Sequence, residues 1–104
     1  MKRAKVFVDG LPAGELQEIE RGRYYRFTYI DGYKGHPVSL AMPITTKEYE
    51  YDHFPPFFDG VLPEGVMLEG LLKQAKIDRY DLMSQLIAVG GDLVGNVTVE
   101  AVNE

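Results

Sequence analysis

The chain has 104 residues, 45% of them hydrophobic and 26% charged, with a formal net charge of −5 and a pI near 5.0. The absence of cysteine excludes disulfides, thiolate metal sites and a cysteine nucleophile together. The shortage of cations argues against nucleic-acid binding, whose affinity comes largely from neutralised phosphates.

One domain over residues 1–104 is expected, since a chain of this length buries roughly 65% of its unfolded surface in a single core. The opening "MKRAKVFVDG" has basic residues, but the apolar run after them, Val6–Val8, is far shorter than the roughly 7–15 residues of a signal peptide or the roughly 20 of a membrane span. A cytoplasmic protein is expected.

The first half reads as β structure. "AKVFVDG" alternates into a turn, and the Gly and Pro of "DGLPAGEL" reverse the chain. "ELQEIE" directs Leu16 and Ile19 inward. "RYYRFTYI" is dense in aromatic and β-branched residues, with Tyr25, Phe27 and Tyr29 on one face and Tyr24, Arg26 and Thr28 on the other. "DGYKGHP" is a turn, "VSLAMPI" a short strand ended by Pro43, and "TTKEYEYD" either an edge strand or a loop.

The period then changes. From Pro63 the apolar positions Leu68, Leu71, Leu72 and Ala75 fall at i, i+3, i+4 and i+7, one helix face, with Pro63 at the start and Glu64 at the positive end of the dipole. "IDRYDLMSQLIAVGG" reads as a second helix, capped by Asp78, with Asp81 in its first turn. Leu82, Met83, Leu86 and Ile87 face the core, and Gly90-Gly91 is the stop signal. "VGNVTVEAV" alternates Val97, Val99 and Ala101 as a last strand. The fold class is therefore α+β: a small, mostly antiparallel sheet with two helices in the C-terminal half and a final strand.

Catalytic signals are weak. His36 and His53 stand singly in loop-like segments without ligand spacing for a metal, and neither Ser39 nor Ser84 lies in a nucleophile elbow. "GGDLVGN" follows a helix and precedes a strand, the reverse of the order in which a Gly-rich loop cradles phosphate. No enzyme activity, cofactor or metal is expected. "RYYRFTYI", with Arg21, Arg23 and Arg26, would suit a base-stacking platform, but the net charge opposes that use.

The stretch that stands out is "FPPFFDGVLPEG", residues 54–65, which has three phenylalanines and three prolines and follows neither period. Lys and Arg are absent between Lys47 and Lys73, where Glu48, Glu50, Asp52, Asp59, Glu64 and Glu69 all fall. Such a segment is either a solvated acidic face or a docking surface for a basic partner. Phe57, Phe58, Leu62, Pro63, Gly65, Val66 and Met67 are candidate partner-binding residues, with Asp59 and Glu64 on the rim. The competing reading puts Phe57 and Phe58 in this domain's own core.

Three stretches in order, "VFVDGLPAGEL", "FFDGVLPEG" and "LIAVGGDLVGNVTV", together with "RFTYIDGY" and "LAMPI", resemble the N-terminal subdomain of HipA-type serine/threonine kinases. Asn96, where that family usually has Ala, and the double glycine at Gly91 are small departures. The catalytic Asp and the metal-binding Asp and Asn that phosphoryl transfer requires have no counterpart here, there being no H-R-D or D-F-G in the chain. Met1 and a terminal strand lead to the expectation of a complete small product.

In split HipBST-type toxin–antitoxin systems of bacteria, the small HipS-type component resembles this subdomain. The resemblance thus implies an antitoxin that inhibits a HipT-like kinase toxin, with a HipB-like DNA-binding protein as a possible third component. The alternative is an activating or structural subunit that completes a split HipA-like kinase.

Overall fold

Alternation of side chains across a pleated backbone builds the sheet. In the structure, a computed structural model that describes residues 1–93 and 95–102, strand β1 is Arg3–Val8, β2 Leu11–Glu20, β3 Tyr24–Tyr29, β4 Glu48–Tyr51 and β5 Val97–Ala101. All four pairings are antiparallel, in the order β4-β3-β2-β1-β5. The fold is α+β, as expected. Val94, at the head of the predicted last strand, and Asn103 and Glu104 lie outside the described residues.

Strands β1 and β2 are joined by Asp9 and Gly10, both at positive φ (52° and 79°), the geometry whose twist matches a two-residue hairpin. Ala4, Val6, Val8, Leu16, Tyr25, Phe27, Tyr29, Val97 and Val99 fill the inner face. The other face is polar: Lys5 is paired with Glu15 and Glu100, and Arg26 with Gln17 and Glu50. A sheet with one covered and one solvated face is the usual antiparallel arrangement.

Two expectations are corrected here and one open alternative is resolved. In β2 the inward residue beside Leu16 is Glu18, not Ile19, which is only partly buried. The period of two puts residues 16 and 18 on one face. Glu18 accepts hydrogen bonds from the Gly22 N–H (3.1 Å) and the Tyr25 hydroxyl (3.2 Å), which satisfy the buried carboxylate. Burial, reinforced by the Glu18 charge, pushes the Tyr25 hydroxyl up to about 12. Second, "VSLAMPI" is not a strand but a turn region. Third, "TTKEYEYD" resolves as the edge strand β4.

There are three helices among the described residues: α1 (Pro56–Gly60) and α3 (Leu82–Val89) pack on the inner face, the latter followed by a 3₁₀ turn at Gly90–Asp92, and α2 (Gly65–Ala75) leans on α3. Helix α1 was not expected from the sequence. The cap of α3 is Asp81 rather than Asp78. The Asp81 carboxylate accepts from the Ser84 N–H (3.1 Å) and the Ser84 hydroxyl (2.7 Å) and pairs with Lys2 at 2.7 Å, tying the helix start to the start of β1. Asp78 instead accepts from the Tyr80 N–H in the preceding turn (2.7 Å). Gly90 is buried, and a Cβ there would collide with the Val99 carbonyl, so the end of α3 can lie on β5 only without a side chain. None of the helices is long and apolar enough to cross a membrane among the described residues.

Candidate partner-binding face

Residues 54–62 turn their aromatic rings into the sheet. Phe54 and Phe58 are buried, Phe54 edge-on to Tyr25 at 5.3 Å between ring centroids and Phe58 tilted against Phe27 at 6.2 Å. The prolines make this possible. Pro55 is the N-cap of α1 and Pro56 opens it, where a missing N–H costs no helical hydrogen bond and φ is already set. One turn of helix then points Phe58 inward and carries Phe57 to the rim, half-buried and edge-on to Phe58 at 5.2 Å. Leu62 is buried as well. Phe58 and Leu62 are therefore core residues that a partner could reach only if the domain opened. The aromatic density of this stretch is explained first by packing.

The segment after Leu62 behaves differently. Pro63 is partly buried, and Glu64 is the N-cap of α2 in extended conformation. The helix therefore begins at Gly65, two residues later than the sequence suggested. Gly65 has φ +59°, a backbone that glycine alone adopts without strain. Helix α2 has no buried residue. Leu68, Leu71 and Leu72 are only partly covered, Ala75 is exposed, and α3 is the helix against which α2 leans. Val66 and Met67 are 88% and 76% exposed.

The run of acids breaks into two sets. Glu48 and Glu50 pair with Arg26 at 3.4 and 3.0 Å, Asp52 with His53 at 2.7 Å, and Glu69 with Arg79 at 2.6 Å. The Tyr24 hydroxyl and the Arg26 guanidinium hold Glu50 below the usual carboxylate range, and the His53 ring does the same for Asp52. Asp59 and Glu64 have no ion pair among the described residues. Of the acidic stretch, they are the two carboxylates free to orient a cationic partner, and they stand on either side of the loop that leads into α2.

The sequence-derived residues thus divide into a sealed set, Phe58 and Leu62, and an accessible set, Phe57, Asp59, Pro63, Glu64, Gly65, Val66 and Met67. Sequence reasoning did not distinguish Phe54, which is buried while lying outside the candidate set. Its signal was the prolines that follow it, which force the chain to enter α1 from a fixed direction.

Comparison with known proteins extends the picture. The profile of the HipA N-terminal domain family matches residues 4–100. An uncharacterised protein of Haemophilus influenzae is 31% identical over 100 residues, spanning 96% of this chain and 92% of that protein. A solved structure described as the N-terminal domain of HipA toxin superimposes with a TM-score of 0.78 at 29% identity, covering 100% of this chain and 95% of that one.

Proposed function

The chain belongs to the HipA N-terminal domain family, and on that premise we propose that it is a non-catalytic antitoxin that binds and inhibits a HipT-like serine/threonine kinase toxin. The observation that carries this reading is the extent of the likeness. It runs from residue 4 to residue 100 and takes in nearly the whole of a HipA N-terminal domain, so the surface available to this chain is that of the front subdomain. Without the acid, metal-binding and phosphate-gripping groups of phosphoryl transfer, such a surface acts by contact.

The contact face in this reading is the start of α2. Val66 and Met67 supply apolar area, the residue classes that fill the centres of interfaces, and Asp59 and Glu64 supply charge at the rim. Glu64 meets a lysine or the Mg²⁺-binding region of the kinase cleft, where a carboxylate competes with nucleotide phosphate. A HipB-like DNA-binding protein joins the complex as a third component.

The test is the phosphorylation rate of a purified HipT-like kinase, with the protein titrated in. A stoichiometric fall is expected, and Glu64→Gln should weaken it without altering the fold. A rise in activity would instead make the chain the activating subunit of a split kinase, the second reading that the same surface allows.

A further inference from the structure

The segment between β3 and β4, residues 30–47, is long and has neither helix nor strand, yet it is held by tyrosine hydroxyls. The Tyr33 hydroxyl donates to the His36 carbonyl (2.5 Å) and the Tyr49 hydroxyl to the Pro43 carbonyl (2.7 Å). The Tyr29 hydroxyl accepts from the Val38 N–H (2.9 Å) and donates to the Met42 carbonyl. Tyr29 and Tyr33 are stacked at 5.7 Å. Val38 and Met42 are sunk into the core, 5% and 1% exposed.

Between these two anchors, the Met42 N–H bonds to the Ser39 carbonyl at 2.9 Å, closing a four-residue turn. The Ser39 hydroxyl accepts from the Ala41 N–H at 3.1 Å, stiffening it further. The two central residues of that turn are Leu40 and Ala41. Such positions ordinarily carry Pro, Gly, Asn, Asp or Ser, which preset the turn's backbone angles or bond to its backbone, and leucine does neither. Leu40 is 96% exposed. A loop of this length is usually functional or disordered, and this one is pinned on both sides of its most exposed apolar side chain.

We propose that Leu40 is a second anchor for the same kinase partner, presented by a pre-ordered turn and entering an apolar pocket on it. This rests on the antitoxin reading above and deepens it. Continuity of surface supports the choice of occupant. Leu40 and Phe57, the half-buried ring on the rim of the partner-binding segment, line one open cleft of about 570 Å³ together with Asp9, Pro37 and Asn96. The chemistry is continuous too. Asp9, like Asp59, is exposed and has no ion pair among the described residues, so an apolar anchor with a carboxylate beside it recurs on both parts of the face. The turn is ordered before the partner arrives, and binding then loses little loop entropy.

The experiment is calorimetric titration of the chain into a purified HipT-like kinase, with wild type, Leu40→Asp and Leu40→Met compared. The exposure of Leu40 leaves the fold to tolerate both variants, which near-identical thermal melting verifies. Expected is a loss of affinity of about tenfold or more for Leu40→Asp and close to wild-type binding for Leu40→Met. Wild-type affinity in Leu40→Asp, with wild type itself binding, would overturn the second anchor alone. No binding by wild type would overturn the antitoxin reading and this inference with it. A homodimer of the chain dissolved by Leu40→Asp would assign the turn to a second copy and overturn the kinase as its occupant.

Discussion

Residues 54–62 and 63–72 follow one another, are comparably apolar and have opposite fates. The first stretch closes over the sheet, with Phe54, Phe58 and Leu62 buried. The second forms a helix with no buried residue at all. Hydrophobicity decided neither outcome. What differs is the approach of the backbone: Pro55 and Pro56 set a helical turn directly over β3, whereas Gly65, at positive φ, swings the chain away so that α2 leans on α3. Exposed apolar surface can thus stand directly beside core in the sequence, separated by a single turn.

The largest effect that would break this contrast is at Phe58. Phe58→Ala leaves a cavity between α1 and β3 and should cost about 3–5 kcal/mol in urea denaturation, whereas Met67→Ala should stay within about 0.5 kcal/mol. Equal losses at the two positions would mean that α2 is held as firmly as α1.

Next is Gly90→Ala, whose new methyl group meets the Val99 carbonyl. It should destabilise by about 1–3 kcal/mol through a shift of α3 from β5, and so loosen the support on which α2 leans. Thermal melting checks this.

Asp81→Ala removes both the α3 cap and the Lys2 pair, for an expected loss of about 1 kcal/mol. Burial pushes the Asp81 carboxyl up, but the hydrogen bonds and charge from Lys2 and Ser84 outweigh it and hold the group below its ordinary range. A depressed folded-state value means the contribution is complete above the unfolded value of about 4 and is lost as pH falls through the folded one. The stability gap between wild type and Asp81→Ala should therefore shrink below about pH 4. A gap that widens on acidification would contradict the pairing.

The smallest effect sharpens the comparison without any substitution. Backbone amides of α2 should exchange with solvent through low-energy local openings, well before those of β2 and β3, because few buried contacts hold that helix. Uniform protection would remove the distinction between the two regions.

Much of this was legible along the chain. Alternation in "AKVFVDG", "RYYRFTYI" and "NVTVEA" is a period of two that only a strand can use when one face must be buried, and Tyr25, Phe27, Tyr29, Val97 and Val99 all point to the core. The apolar spacing in α3 likewise placed Met83 and Leu86 inside. The likeness to the HipA front subdomain was carried by short motifs in their order, which need no geometry.

The partners of those elements were beyond the sequence. "VSLAMPI" alternates like a strand, but the Tyr29 hydroxyl, placed by β3, takes the Val38 N–H and the Met42 carbonyl that a neighbouring strand would otherwise use, and the segment becomes a turn. Asp78 and Asp81 can each cap a helix; Asp78 is taken up by the preceding turn, and Asp81 holds the cap while also pairing with Lys2, far away in sequence. Periodicity reports which face of an element is apolar, a local property of the chain. Which rings of "FPPFFDGVLPEG" are sealed, and which side chains beyond it remain open to a partner, depends on where other elements stand, and only the folded arrangement of the sheet and helices decides that.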